Sequence, residues 1–286
     1  MMSLNKLLIF LLFLSISCFG KEGVAIQRII SLAPSITDTL YTLGLEDKLV
    51  GITSYCPPAP SGKKITVVGS MNPPLEGLVV LKPDLVITLH SDKRTIDNLK
   101  KTGIKTLSIR NDSLDKIYQS YLKIGELCGV RKDAQKLLDQ TKQTFAELAK
   151  LHKDTPKKSL VLISRLSTTP GKIAPWIASN KSFYGEILTG LNSPSAIKNK
   201  KCFYQIPAEE LILANPDLII ILTPRELSKK EQEQELKAWQ QIPTLSAVRK
   251  KKIFFIGNSH IMIPGPKISA SMKDFSQILQ QASDEK

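Results

Sequence analysis

Short apolar runs alternate along this chain with longer segments in which apolar residues recur every three or four positions. The short runs are bounded by Gly, Pro or polar residues, a pattern that is typical of buried strands. In the first half of the chain they are residues 28–32, 48–53, 65–69, 83–89 and 105–109. The segments between them have helical spacing, and Ser35 and Asp92 are predicted to be helix N-caps. Alternation of this kind predicts a parallel sheet with helices on both faces.

Residues 130–154 contain neither Gly nor Pro, and their apolar positions keep a helical period throughout. They predict one helix of about 22 residues, roughly 33 Å long. Strand and helix patterns then resume after the polar break DTPKK. The predicted fold class is therefore α/β, with two lobes, each a mainly parallel sheet flanked by helices, joined by one long α-helix. The predicted boundaries are 25–129 for the N-terminal lobe, 130–154 for the linking helix and 158–286 for the C-terminal lobe.

One fifteen-residue stretch occurs twice in the chain. PLEGLVVLKPDLVIT (74–88) and PAEELILANPDLIII (207–221) are identical at seven positions. Each copy predicts a short helix that ends before a Pro, followed by a buried strand. The helix dipole favours a carboxylate in the first turn by only ~0.3–1 kcal/mol, which would account for either Glu76 or Glu209 alone. One Glu at the same place in each lobe predicts a matched pair of exposed acids on one face.

The first twenty residues, MMSLNKLLIFLLFLSISCFG, have an early Lys, an apolar core and small residues before Cys18. This pattern predicts that residues 1–20 are a signal peptide and that the mature protein acts in the periplasm or cell envelope. Two alternatives stay open: a lipoprotein anchored through Cys18, and ordinary cleavage near Ser17 or Gly20. Cys56, Cys128 and Cys202 then remain, which allows at most one disulfide and shows no metal-site spacing.

The formal net charge of +14 comes from scattered basic residues and one cluster at 249–252. No nucleic-acid-binding motif accompanies them, so we expect no nucleic-acid partner. Solvated faces are one explanation, and attraction to an anionic surface or an acidic ligand is the other. The motifs of serine hydrolases, nucleotide-binding enzymes and zinc proteases are missing. We therefore expect no enzymatic activity and no cofactor; an exported enzyme and a structural surface lipoprotein stay open as alternatives.

The stretch RIISLAPSITDTLYTLGLEDKLVGITSYCPPAP, followed by VGSMNPPLEGLVVLKPDLVIT, resembles substrate-binding proteins of ABC importers of the helical-backbone class. That class serves cobalamin, haem and ferric siderophores, and the resemblance extends over about residues 25–282. It is closest to the cobalamin-binding family. The resemblance implies a monomer that captures a corrinoid such as cobalamin, or else haem or a ferric siderophore, between its lobes. It further implies that Glu76 and Glu209 dock onto arginines of the two subunits of an ABC permease dimer in the inner membrane.

The ligand of such an α/β protein is expected beyond the carboxyl ends of the strands. The candidate ligand-binding residues in those loops are Ser35, Tyr55, Cys56, Ser70, Met71, Leu89, His90, Trp176, Ser259 and His260. Tyr55 matches a tyrosine of the cobalamin-binding family, and Trp176 offers an aromatic face for a flat ligand; packing is the alternative role for both. His90 and His260 would be candidate metal ligands if the ligand is haem, and simple exposure is their alternative. Leu89 and Met71 stand where a cobalamin cleft would offer aromatic walls.

Overall fold

The computed structural model describes residues 25–70, 72–152, 158–163 and 174–284. Within them the strands form two separate five-stranded sheets, one in each half of the chain. The first sheet contains β1 (Ile29–Ser31), β2 (Leu49–Ile52), β3 (Thr66–Val67), β4 (Leu85–Leu89) and β5 (Thr106–Ile109). The second contains β6 (Ser159–Leu162), β7 (Trp176–Ala178), β8 (Phe203–Gln205), β9 (Leu218–Thr223) and β10 (Ile253–Gly257).

The two sheets share one strand order, because β3-β2-β1-β4-β5 corresponds to β8-β7-β6-β9-β10 position by position. Every pairing in the first sheet is parallel. In the second sheet β6, β9 and β10 are parallel, whereas β7 runs antiparallel to both of its neighbours. The predicted class, two α/β lobes with mainly parallel sheets, is confirmed.

Ten α-helices in the described residues connect and cover the strands. They are α1 (Pro34–Thr42), α2 (Leu75–Val79), α3 (Lys93–Lys100), α4 (Leu114–Leu127), α5 (Arg131–Ala149), α6 (Phe183–Gly190), α7 (Ala208–Ala214), α8 (Lys229–Trp239), α9 (Ser246–Arg249) and α10 (Ile268–Asp284). Short 3₁₀ helices cover Glu46–Lys48 and His260–Met262. Asp92 caps α3 by accepting the Thr95 N–H, as predicted. The prediction for Ser35 was wrong: α1 begins at Pro34, whose missing N–H suits a first helical position, and Ala33 is the N-cap.

Each central strand is buried on both faces, which explains why these segments are continuous apolar runs rather than alternating ones. In the first lobe, Ile29 and Ile87 belong to a core on one side of the sheet, and Ile30 and Val86 to a core on the other. All six residues of β9 are buried, again between two cores.

Helix α5 links the lobes and is 19 residues long, slightly shorter than predicted. Helix α4 packs beside it and contributes to both cores as well. Its first half, including Ile117 and Tyr121, joins the core of the C-terminal lobe, whereas Ile124 joins that of the N-terminal lobe. The lobes are thus held together by a pair of helices, and the division of the chain after residue 129 stays a prediction.

The repeated sequence is one structural unit used twice. The Asp84 carboxylate accepts the backbone N–H groups of Gln27 and Arg28 at 2.8 and 2.9 Å. The Asp217 carboxylate likewise accepts the Lys158 N–H at 3.0 Å. Each Asp therefore ties the start of β4 or β9 to the start of the neighbouring central strand.

Candidate ligand cleft and docking surface

The two lobes touch where α1 follows the carboxyl end of β1. The side chain of Ser35 is buried, and its hydroxyl accepts a hydrogen bond from the Asn111 amide at 3.3 Å. Gly265 of the C-terminal lobe packs so closely that a Cβ there would lie 3.1 Å from the Ser35 carbonyl oxygen. Nearby, Lys267 Nζ pairs with Asp38 Oδ1 at 2.9 Å. The contacts of Gly265 and Lys267 join the two lobes, whereas the bond between Ser35 and Asn111 lies within the N-terminal lobe.

An apolar cavity of about 190 Å³ lies next to this contact. It is lined by Asn111, Ile163, Phe183, Tyr184, Phe203, Met262 and Pro264. The Phe183 and Phe203 rings meet edge to face, with centroids 6.0 Å apart. The Tyr184 hydroxyl donates to the Ile261 carbonyl at 2.5 Å, and burial raises the pKa of this phenol. The aromatic wall is therefore uncharged and held in one geometry.

Tyr55, Cys56 and Ser70 lie in loops after strands of the first lobe, and Leu89 is the last residue of β4. Tyr55 has 61% of its surface exposed, and Ser70 is exposed too. The thiol of Cys56 lies 3.2 Å from the Thr53 hydroxyl, and Leu89 packs against the core of this lobe. Cys56 is half-buried, and its thiol is free. The predicted residue Met71 lies outside the described residues.

His90 lines a second cavity, of about 290 Å³, between the ends of β4 and β5 and helix α4. Its Nδ1 lies 3.3 Å from the Ser108 hydroxyl. Three cations share the lining: Arg110, Lys116 and Lys123. Arg110 pairs with Asp112 at 2.5 Å; burial acts to raise the pKa of Asp112, but this bond and nearby cations hold it below its ordinary value. Lys116 likewise pairs with Asp115 at 3.1 Å, so two of the three cations already have acidic partners and the cavity's attraction for anionic groups depends most on Lys123.

His260 is held by a carboxylate of α10. Its Nε2 lies 2.7 Å from Asp274 Oδ2, and the Asn258 amide donates to the same oxygen at 3.1 Å. Only Nδ1 of the ring is then left for a further contact. Histidines that bind metals often have their other ring nitrogen hydrogen-bonded to a carboxylate in the same way. Within the part of the chain that the structure describes, no group of three His, Cys, Asp or Glu side chains could hold a metal ion.

Two further predicted residues belong to the C-terminal lobe. Trp176 opens β7, and its carbonyl accepts the Ile163 N–H at 3.0 Å, so its half-exposed ring stands beside the carboxyl end of β6. Ser259 is exposed in the loop after β10.

Among the residues that the structure describes, the linings of these cavities include His90 but neither Tyr55 nor Trp176. The ligand roles therefore stay predictions. Sequence reasoning missed Asn111 and Phe203. Asn111 follows β5, so the rule that found the loops after the other strands would have found it. Phe203 lies in a strand of three residues that carries no recognisable period.

The matched acids lie on the surfaces of the two lobes. Glu76 in α2 and Glu209 in α7 are exposed, and neither carboxylate has an ion pair with any described residue. The neighbouring Glu210 is engaged, because it accepts the Tyr204 hydroxyl at 2.5 Å. Glu76 also borders an open recess of about 550 Å³, whose lining includes Arg94 and Lys101. Both acids are thus available to a partner.

The predicted signal peptide, with Cys18, lies outside the described residues. Of the helices that the structure describes, none is both long and apolar enough to cross a membrane.

Comparison with known proteins identifies the family. The model of the periplasmic binding protein family matches residues 29–259. A relative in Bacillus subtilis (strain 168), an uncharacterized ABC transporter substrate-binding lipoprotein, is 27% identical, covering 88% of this chain and 79% of its own length. A vitamin B12-binding protein of Photorhabdus laumondii is 26% identical, covering 73% of this chain and 76% of its own.

A solved structure from Staphylococcus epidermidis, titled a possible iron-binding (periplasmic solute-binding) protein, has the same fold. It superposes with a TM-score of 0.74 at 26% identity, over 89% of this chain and 98% of that one. The family and these neighbours are substrate-binding transport proteins rather than enzymes, and they act in the cell envelope. This chain therefore belongs to the periplasmic binding protein family and is an exported protein of the cell envelope.

Proposed function

We propose that this protein is the substrate-binding component of an ABC importer, which captures a corrinoid such as cobalamin between its lobes and delivers it to a permease dimer. The observation that carries the proposal is the repetition of one unit in two equivalent sheets, each with an exposed, unpaired carboxylate on its surface helix. Two equivalent acids suit a partner with two related subunits. The protein acts as a monomer, since one chain supplies both acids.

A corrinoid is favoured by the character of the described cleft. The aromatic and apolar wall of Phe183, Phe203 and Met262 suits the face of a large flat ligand, while Asn111 offers a polar contact beside it. Tyr55 and Trp176 add two exposed aromatic rings in loops at the carboxyl ends of strands. The vitamin B12-binding relative supports the same ligand class.

Haem or a ferric siderophore is the second candidate, and two observations favour it. The His260–Asp274 pair leaves one ring nitrogen for an iron atom. The cavity beside His90 gathers Arg110, Lys116 and Lys123, which suits the acidic groups of haem or of a siderophore. The structural neighbour whose title mentions iron binding agrees with this alternative.

The mechanism is capture followed by delivery. Helices α4 and α5 pack together between the lobes, so the lobes rearrange little when the ligand binds. The loaded protein then docks through Glu76 and Glu209, and the permease separates the lobes to release the ligand. An acyl chain on Cys18 would keep the protein at the membrane surface during this cycle.

Titration calorimetry of the mature protein against cobalamin, haemin and a ferric siderophore tests the proposal. We expect one corrinoid per chain, and a coloured protein if the ligand survives purification. One-to-one binding of haemin or the siderophore alone would instead favour the second candidate. Binding of none of the three would contradict the proposed ligand class.

Substitutions locate the site on the cleft. Tyr55→Ala and Met262→Ala should each weaken ligand binding by about tenfold, because each removes an exposed apolar contact worth roughly 1.4 kcal/mol. Leu236→Ala, which removes an exposed apolar side chain from α8, is the matched control and should leave affinity unchanged. All three should melt like the wild type. Unchanged ligand affinity in both the Tyr55 and the Met262 variants would show that the ligand binds elsewhere.

A further inference from the structure

The two copies of the repeat match in exposure as well as in sequence. From Pro74 to Leu85 and from Pro207 to Leu218, the order of buried, half-buried and exposed residues is the same at every position except Pro83 and Pro216. Both copies also place a left-handed residue before that proline: Lys82 has φ 45° and Asn215 has φ 39°. The chain has therefore repeated a surface, not only a turn.

One buried leucine anchors each surface helix. Leu78 in α2 and Leu211 in α7 are both fully buried, and each fixes the face that its helix turns to the solvent. On that face, residues three and four positions after each Glu lie beside it. These are Val79, the last residue of α2, with Val80, the C-cap of α2, and in α7 Ile212 and Leu213.

These four apolar side chains are exposed to unusual and matching extents. Val79 and Ile212 are 43% and 45% exposed, and Val80 and Leu213 are 73% and 86% exposed. Isolated exposed apolar residues are common on protein surfaces. The same pair beside the same unpaired acid on both lobes is a pattern, and burial on a partner would explain it.

We propose that on each lobe the carboxylate and its apolar pair form one composite docking site for the permease dimer. The inference rests on the proposed function and adds a partner chemistry to it: each permease subunit offers a cation beside an apolar pocket. The cation on the permease meets Glu76 or Glu209. The apolar pocket receives Val80 or Leu213, whose burial contributes affinity that salt does not screen.

The negative charge of Glu76 and Glu209 argues against two other partners for this surface. An anionic membrane surface would repel Glu76 and Glu209, which stand among the apolar residues that would have to insert. A second copy of this chain would bring these same acids together across a two-fold axis, where like charges oppose association. A basic partner with two equivalent sites suits both features.

The test compares paired variants in binding to the cognate permease, reconstituted in nanodiscs of zwitterionic lipid, at low and high salt. Val80→Thr with Leu213→Gln removes the apolar contacts and keeps both acids. We expect the double variant to bind at least about tenfold more weakly at both salt concentrations. Leu151→Gln with Leu236→Gln changes two exposed leucines elsewhere and should bind like the wild type. If the Val80→Thr with Leu213→Gln variant has a lower melting temperature than the wild type, Val80→Ala with Leu213→Ala is used in its place.

The variant Glu76→Arg with Glu209→Arg separates failure of the composite docking site from failure of the proposed docking through the two acids. If this variant fails to bind while the Val80/Leu213 variant binds like its control, the composite site is wrong and the proposed docking stands. If the arginine variant still binds, the proposed docking itself fails. Two further controls use the wild type alone: binding to empty nanodiscs, and self-association measured by sedimentation. If either occurs and the Val80/Leu213 variant abolishes it, the inference is overturned, because the membrane or a second copy then covers these apolar residues.

Discussion

At the scale of single residues, the contact between the lobes depends on a charge that is held out of water. The side chain of Asp38 is 7% exposed, and its Oδ2 has no hydrogen-bond partner among the described residues. Its other oxygen is held at 2.9 Å by Lys267, whose own side chain is half exposed. Removing the cation would leave a buried carboxylate without compensation. Nothing in the sequence marks this pair, because its members are 229 positions apart.

Lys267→Met should therefore lower the free energy of unfolding by about 2 kcal/mol. Adding Asp38→Asn should restore much of the loss, because the amide carries no charge to leave unpaired. Urea unfolding of the wild type, both single variants and the double variant measures the coupling between the two positions. Additive effects would show that the pair does not stabilise the lobe contact.

At the scale of elements, the apolar runs predicted all five strands of the first sheet, because strands buried on both faces read as continuous apolar segments. The direction of β7 could not be predicted, since it depends on pairing with distant strands rather than on its own three residues. The packing of α4 on two cores could not be predicted either, because a helical period does not say which core each turn of the helix meets.

Helix α6 packs very closely against the preceding loop at Gly185, a contact that could not be predicted from the sequence. A Cβ on Gly185 would overlap the Ser179 carbonyl oxygen and the Asn180 backbone, which cannot turn aside as a flexible side chain would. Gly185→Ala should thus destabilise the C-terminal lobe by roughly 1–3 kcal/mol. Gly77→Ala in α2 is the control, because its nearest neighbour would be 3.6 Å away, and it should stabilise by roughly 0.5–1 kcal/mol. Equal melting temperatures for the two variants would refute the close contact.

At the scale of the whole molecule, the repeat predicted two equivalent lobes, and the two sheets share one strand order. The exposure of Glu76 and Glu209 was also predictable, because each precedes a buried leucine by two positions on a short surface helix. For the ligand cleft, the sequence predicted which loops would line it but not which residues of those loops would meet. Which residues meet across the lobes, such as Gly265 with Ser35, follows from lobe packing that no local pattern encodes.

The central claim is that the ligand site and the two acids are separate parts of one carrier. The most direct measurement compares ligand affinity and cellular uptake of labelled ligand for Glu76→Arg with Glu209→Arg. Glu126→Arg with Glu233→Arg reverses one exposed acid in each of two other helices and controls for net charge. The account predicts unchanged affinity and abolished uptake for the first pair, and normal values of both for the control. Undiminished uptake by the first pair, or loss of its ligand affinity, would contradict it.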